Sequence, residues 1–401
     1  MLKKETYKTF GAFIVLTFLV LSVYSRAGCF GKKVVQVVKI DEPPVEEEII
    51  IEEDRNVKSI FEKYEKKAKD ILKSMTLEQK VGQMFLVNCP EHNQLSVIDD
   101  YAPGGFVFSK KDFSGKVKKT VIGEIKSYQY TSKIPMFMAV DEEGGEVTRV
   151  SCFKEFRRFP FLSPQDIFKT DGFRGITLDT AEKSKLLKEI GINLNLAPVC
   201  DVSTNEEAAM YKRSFGMDAK STADYVKCVL EGMRISNIGS VLKYFPGYGN
   251  NLDVHNRIVK DSRSFEELEQ NDLFPFREGI KAGASGIMVS HNIINCLDKE
   301  MPASLSVEVH KLLRNNLEFT GVIMTDSLDM KGVGKLKNGK DIAIQAVKSG
   351  NDILITSNYK VQIPAVVEAV RNNNIDEKVI DKAVVRILSW KLMLKMINVN
   401  N

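Results

Sequence analysis

The sequence predicts an α/β protein built as a parallel barrel of eight strand–helix units, the TIM-like (β/α)8 arrangement. Three features predict it. Short runs rich in Val, Ile, Met and Phe alternate with longer runs of helical periodicity across residues 57–401. The short runs are apolar on both faces, as strands covered by helices outside and by core inside must be. Polar residues with chemical potential stand at the ends of those runs: Asp141, Asp201, Lys243, His291 and Asp326. The first two features would also suit a doubly wound open sheet. The third favours a barrel, because there the strand ends converge on one mouth.

Taken in order, residues 1–30 come first. Lys3, Lys4 and Lys8 precede an unbroken apolar run from Phe10 to Tyr24, the form of a secretory signal and short for a membrane-spanning helix. Ser25-Arg26-Ala27-Gly28-Cys29 ends like a lipobox, with Arg26 where that motif has an aliphatic residue. Lipidation at Cys29 and an uncleaved signal anchor both fit, and either places the body of the protein outside the cytoplasm. Residues 31–56, with Pro43-Pro44 and the acidic run from Glu46 to Asp54, read as a solvated linker. A single catalytic domain is expected over 57–401.

Within that domain the expected strands are Met84–Val87, Phe106–Phe108, Met136–Val140, Asn193–Ala197, Ser240–Phe245, Gly286–Ser290, Val322–Thr325 and Asp352–Thr356. Helical periodicity marks Ala181–Glu189, Ala223–Ile235, Phe265–Ala282, Ile342–Lys348 and the closing Val379–Ile397. A net charge of +4 over 401 residues gives no reason to expect a nucleic-acid partner. The six cysteines contain no C-x-x-C pair and read as mostly buried free thiols. The four histidines have no metal-ligand spacing, so no metal site is expected.

Three segments carry the chemistry. Gly321–Leu328 is an apolar strand ending in Asp326, which places a carboxylate at the rim; by residues alone it is either a nucleophile or the cap of the next helix. Lys243 opens a Pro/Gly-rich stretch running to His255, in which Asp253 and His255 stand two apart. In extended geometry both point the same way, so the carboxylate can orient the imidazole while its far nitrogen exchanges a proton. An incidental surface histidine is the plainer alternative. Asp141-Glu142-Glu143-Gly144-Gly145 follows the third run, and Asp141, Arg149, Arg213, Lys243 and Tyr244 offer acceptors and donors to sugar hydroxyls. For any one of them a surface ion pair is the alternative.

In order along the chain, Val81-Gly82-Gln83-Met84, Pro103–Phe108, Asp141–Gly145, Asn195–Val202, Arg213–Gly216, Phe245-Pro246-Gly247, Asp253-x-His255 and Thr325-Asp326 resemble family-3 glycoside hydrolases, in particular their single-domain β-N-acetylhexosaminidase branch. The resemblance runs from Leu77 to Met396. It implies that Asp326 is the nucleophile of a retaining reaction, that His255 paired with Asp253 is the acid/base, and that Asp141, Arg149, Arg213 and Lys243 contact the sugar. It also implies terminal β-N-acetylglucosamine on peptidoglycan fragments (muropeptides) or chitin-type oligosaccharides as substrate, and no cofactor; a monomer is expected, meeting a membrane only through its N-terminal segment. The chain departs from the family pattern at Tyr244 and Tyr248, where histidines are usual, at Glu146, where Arg is usual, and at Val254, where Ser is usual. Those departures leave room for a β-glucosidase, for transfer to phosphate, or for a non-catalytic surface sugar-binding lipoprotein.

Overall fold

Eight short parallel strands close into a barrel in chain order: β1 (Phe85–Asn88), β2 (Gly105–Phe108), β3 (Phe137–Val140), β4 (Leu194–Asn195), β5 (Gly239–Phe245), β6 (Gly286–Val289), β7 (Val322–Ser327) and β8 (Ile353–Thr356). The computed structural model describes residues 57–251, 259–330, 333 and 339–398. The expected leader and linker, Cys29 included, lie outside the described residues. β8 returns to β1 with Phe85 opposite Leu354 and Leu86 opposite Ile355, which completes the ring. Nearly every residue of β1, β2, β3, β6 and β8 is buried, because helices cover the outer face and the barrel core fills the inner one.

The helix that ends the fold, Glu377–Met393, packs across the end of the barrel where the strands begin. Trp390 is fully buried there, its ring 5.1 Å from that of Phe137. Gly286 opens β6 because a Cβ at that position would meet the Trp390 ring at 2.7 Å. Beside it the ammonium of Lys391 is buried, donating to Gln83 Oε1 at 2.7 Å and to the Gly104 carbonyl at 3.0 Å. A second buried cluster sits at the same end, where Asp352 accepts from Arg314 Nη2 (2.7 Å), Arg386 Nη1 (3.0 Å) and the Ile323 amide (2.8 Å).

The expected strands all form, with ends moved by one or two residues. The run Asn193–Ala197 yields only Leu194–Asn195 as strand, and Pro198 just beyond it has no N–H to donate to a ladder. Helices differ more. Ala181–Glu189 is the last part of a helix running from Pro164 to Glu189, with a break at Asp171-Gly172. Phe265–Ala282 is two helices, Phe265–Gln270 and Leu273–Lys281. The break lets Asp272 turn inward to Arg263, and Pro275 then falls in a first turn, where a missing N–H is harmless. Helices Glu62–Leu72, Leu77–Gln83, Gln94–Tyr101, Lys118–Thr131 and Tyr359–Arg371 are further elements. The second of these starts on a reciprocal Thr76–Gln79 capping box, a spacing visible in the sequence. All five described cysteines are free: Cys89 and Cys200 are buried, Cys152 and Cys228 partly so, and Cys296 is exposed.

Candidate active site

β3 delivers Asp141, Glu142 and Glu143 to the mouth, and their alternation decides what each does. Asp141 and Glu143 point to one side, where both receive the Lys243 ammonium from the end of β5: Nζ is 2.8 Å from Asp141 Oδ1 and 2.6 Å from Glu143 Oε1. Glu142 turns the other way and accepts the amides of Arg149 and Val150 at 2.8 Å each, that of Ser151 at 3.3 Å, and the Ser151 hydroxyl. It therefore folds the loop that carries Arg149. Gly144 and Gly145 make the turn with φ of +103° and +60°, and a Cβ on Gly144 would lie 2.2 Å from the Leu162 carbonyl oxygen.

Arg213 completes the cradle. Its Nε and Nη2 reach Glu143 at 3.0 and 2.7 Å, and Nη2 also donates to the Tyr244 hydroxyl at 2.6 Å. Burial by itself would raise the Glu143 carboxyl, but the Lys243 and Arg213 charges overcome it and hold it at about 2. Those cations lie 5.0 and 5.2 Å from the Tyr244 ring centroid. Tyr244 itself has φ +75°, a left-handed conformation that a bulky residue adopts only when its surroundings enforce it. Burial raises its phenol, which stays protonated with a hydrogen to give. Arg149 is half-buried, and its guanidinium makes no ion pair or hydrogen bond among the described residues.

Asp326 sits near the end of β7, half-buried, with Oδ1 accepting the Ser327 amide at 2.7 Å. Its charge bears on Tyr244, Tyr248 and His291, which places it beside the cradle. His291, just past β6, lies with Nε2 3.0 Å from the Ser327 carbonyl and Nδ1 2.7 Å from the Ser304 hydroxyl. A carbonyl only accepts, so Nε2 carries the hydrogen and Nδ1 accepts from Ser304. Burial lowers the pKa of this imidazole, outweighing the Asp326 charge that raises it.

Of the expected site residues, Asp141, Lys243, Arg213, Tyr244 and Asp326 come together, and Arg149 lies on the loop that Glu142 holds. Asp253 and His255 fall outside the described residues. Glu146 is exposed and only loosely paired, 3.6 Å from Lys212. Glu143 is the central residue that sequence reasoning left without a role. Its signal was available, since Asp141 and Glu143 share a face at a strand end.

The sequence profile of the glycosyl hydrolase family 3 N terminal domain matches residues 76–390. The chain belongs to glycosyl hydrolase family 3. A β-hexosaminidase of Actinobacillus pleuropneumoniae serotype 5b is 27% identical over 69% of this chain and 81% of its own length. β-Hexosaminidase A of Pseudoalteromonas piscicida is 27% identical over 66% of this chain, which spans only 49% of that longer protein. The solved family-3 β-N-acetylglucosaminidase of Paenibacillus sp. str. FPU-7 superposes with a TM-score of 0.75 at 26% identity, covering 80% of this chain and 63% of that one.

Proposed function

We propose that this family-3 protein hydrolyses terminal β-linked N-acetylhexosamine, N-acetylglucosamine above all, with retention of configuration. The observation that carries the reading is the placement of Asp326 at the barrel mouth beside the cradle of Lys243, Asp141, Glu143 and Arg213. In this reading the cradle orients the sugar: the second oxygen of Asp141 accepts from hydroxyls, while Arg149 and the Tyr244 phenol donate. The Asp326 carboxylate attacks the anomeric carbon as His255, oriented by Asp253, gives its proton to the departing glycosidic oxygen. The covalent glycosyl–Asp326 ester is then cleaved by a water whose proton returns to His255, which regenerates both groups. Named hexosaminidases among the relatives support N-acetylhexosamine over glucose as the substrate.

Peptidoglycan fragments and chitin-type oligosaccharides are the proposed natural sources of that sugar. They suit a protein held outside the cytoplasm by residues 1–30 on the linker 31–56.

The test compares a chromogenic β-N-acetylglucosaminide with the matching β-glucoside, each with and without phosphate, for the wild type and Asp326→Ala. Turnover of the acetylated substrate, unaffected by phosphate and lowered at least about a thousandfold in the variant, is the expected result. Preference for the glucoside, or dependence on phosphate, would overturn the specificity or the acceptor. Activity that survives in Asp326→Ala would overturn the nucleophile.

A further inference from the structure

Asp201 follows β4 by a few residues and is 0% exposed, a carboxylate near the mouth that the reaction above does not use. Its Oδ1 accepts the Tyr248 amide at 2.6 Å, while Oδ2 has no partner among the described residues. A bare carboxylate oxygen in the interior is costly, and a neutral side chain would hold one amide more cheaply. What Asp201 holds explains the cost. Tyr248 is 3% exposed, its ring 5.5 Å from that of Tyr244, and its hydroxyl accepts the His291 amide at 3.4 Å. The His291 ring in turn donates to the Ser327 carbonyl, and the Ser327 amide donates to Asp326 Oδ1. One continuous set of contacts therefore runs from Asp201 through Tyr248, His291 and Ser327 to Asp326.

The segment around Tyr248 is gripped elsewhere too. The Gly247 carbonyl accepts from Asn292 Nδ2 at 3.1 Å, and a Cβ on Gly247 would stand 2.7 Å from Asp272 Oδ1. Tyr248 also stands five residues ahead of Asp253 in the sequence.

We propose that Asp201 is a positioning residue for the hydrolysis: it fixes Tyr248, and through Tyr248 and His291 it fixes the backbone that presents Asp326. The inference rests on the reading of Asp326 as nucleophile. The groups facing Asp201 are Asp272, which raises its carboxyl, Arg213 and Arg263, which lower it, and the Cys200 thiol and Tyr248 beside it. Burial is the largest influence and pushes the carboxyl up to about 7. The sign follows. Above neutrality Asp201 is ionised and its bond to the Tyr248 amide is charge-assisted; below neutrality the proton weakens that bond. Alignment of Asp326 therefore improves as the pH rises through 7.

The experiment measures kcat and KM of the full chain on the chromogenic β-N-acetylglucosaminide from pH 5 to 9, for the wild type, Asp201→Asn, Asp201→Ala, Tyr248→Phe and the Asp201→Asn/Tyr248→Phe double variant. Asp201→Ala is expected to lose about tenfold or more in kcat with KM within about twofold, because it disturbs the nucleophile and not the cradle. Asp201→Asn keeps an acceptor of the same shape, so it tests the positioning even if the alanine variant folds poorly. In that variant the rise of kcat through neutral pH disappears. The double variant loses no more than the worse single one, since both act along one set of contacts. An Asp201→Asn profile that superimposes on the wild type overturns the inference alone, as do additive losses in the double variant. A wild type inactive on any glycoside overturns the proposed function and this inference with it.

Discussion

Glu143 shows what a single residue does in this site. It receives a lysine and an arginine while buried and lets both cations sit together at the barrel mouth without repelling each other. Breaking a buried ion cluster by removing one partner costs far more than forming it gains. Glu143→Gln should therefore destabilise the fold by about 3–5 kcal/mol, read as a lowered denaturant midpoint with unchanged slope. The pH dependence has a definite sign. The folded carboxyl is held at about 2 against an ordinary 4.5, so its contribution is fully present above pH 4.5 and is lost as the pH falls towards 2. Acid unfolding of Glu143→Gln should be correspondingly less steep in that window. Asp326, Lys243 and Asp141 were legible in the sequence because each stands at or near the end of an apolar run. The role of His291 was not, since it depends on Ser304 and Ser327, 13 and 36 residues away.

The closing helix shows the same physics at the scale of an element. Its periodicity announces a buried face, and it seals the barrel with Trp390 and the stem of Lys391. Burial lowers the Lys391 ammonium from an ordinary 10.5 to about 7. Between those values the unfolded chain binds a proton that the folded chain does not, so stability rises with pH across pH 7 to 10.5. Lys391→Met should flatten that rise and raise stability at pH 6, where the wild type must bury a charge; urea melts across the range measure both. Helix ends were the hardest features to read. The break at Asn271-Asp272 answers to Arg263, a partner that helical periodicity does not register.

At the scale of the whole molecule, the two ends of the barrel do different work. Strand C-termini carry the site, and strand N-termini carry the buried clusters around Lys391 and Asp352. Asp352→Ala removes the buried carboxylate that Arg314 and Arg386 share, and should cost about 3–5 kcal/mol in stability. At temperatures where the variant remains folded its KM should match the wild type, which separates the two ends in one measurement.

The alternation of apolar runs and helical stretches determined a covered parallel sheet, because strands buried on both faces leave a pattern that no surface element imitates, and the polar residues at the strand ends favoured a barrel over an open sheet. The rim position of Asp141 followed from the same pattern, since it directly follows a buried strand, and Lys243 and Asp326 stand near the ends of β5 and β7. Only the tertiary structure decided which carboxylates share the lysine, why Tyr244 takes a left-handed backbone, and that Asp201 grips Tyr248. Those depend on distances between strands far apart in the chain, and side-chain electrostatics in a buried pocket is set by such distances, not by local sequence.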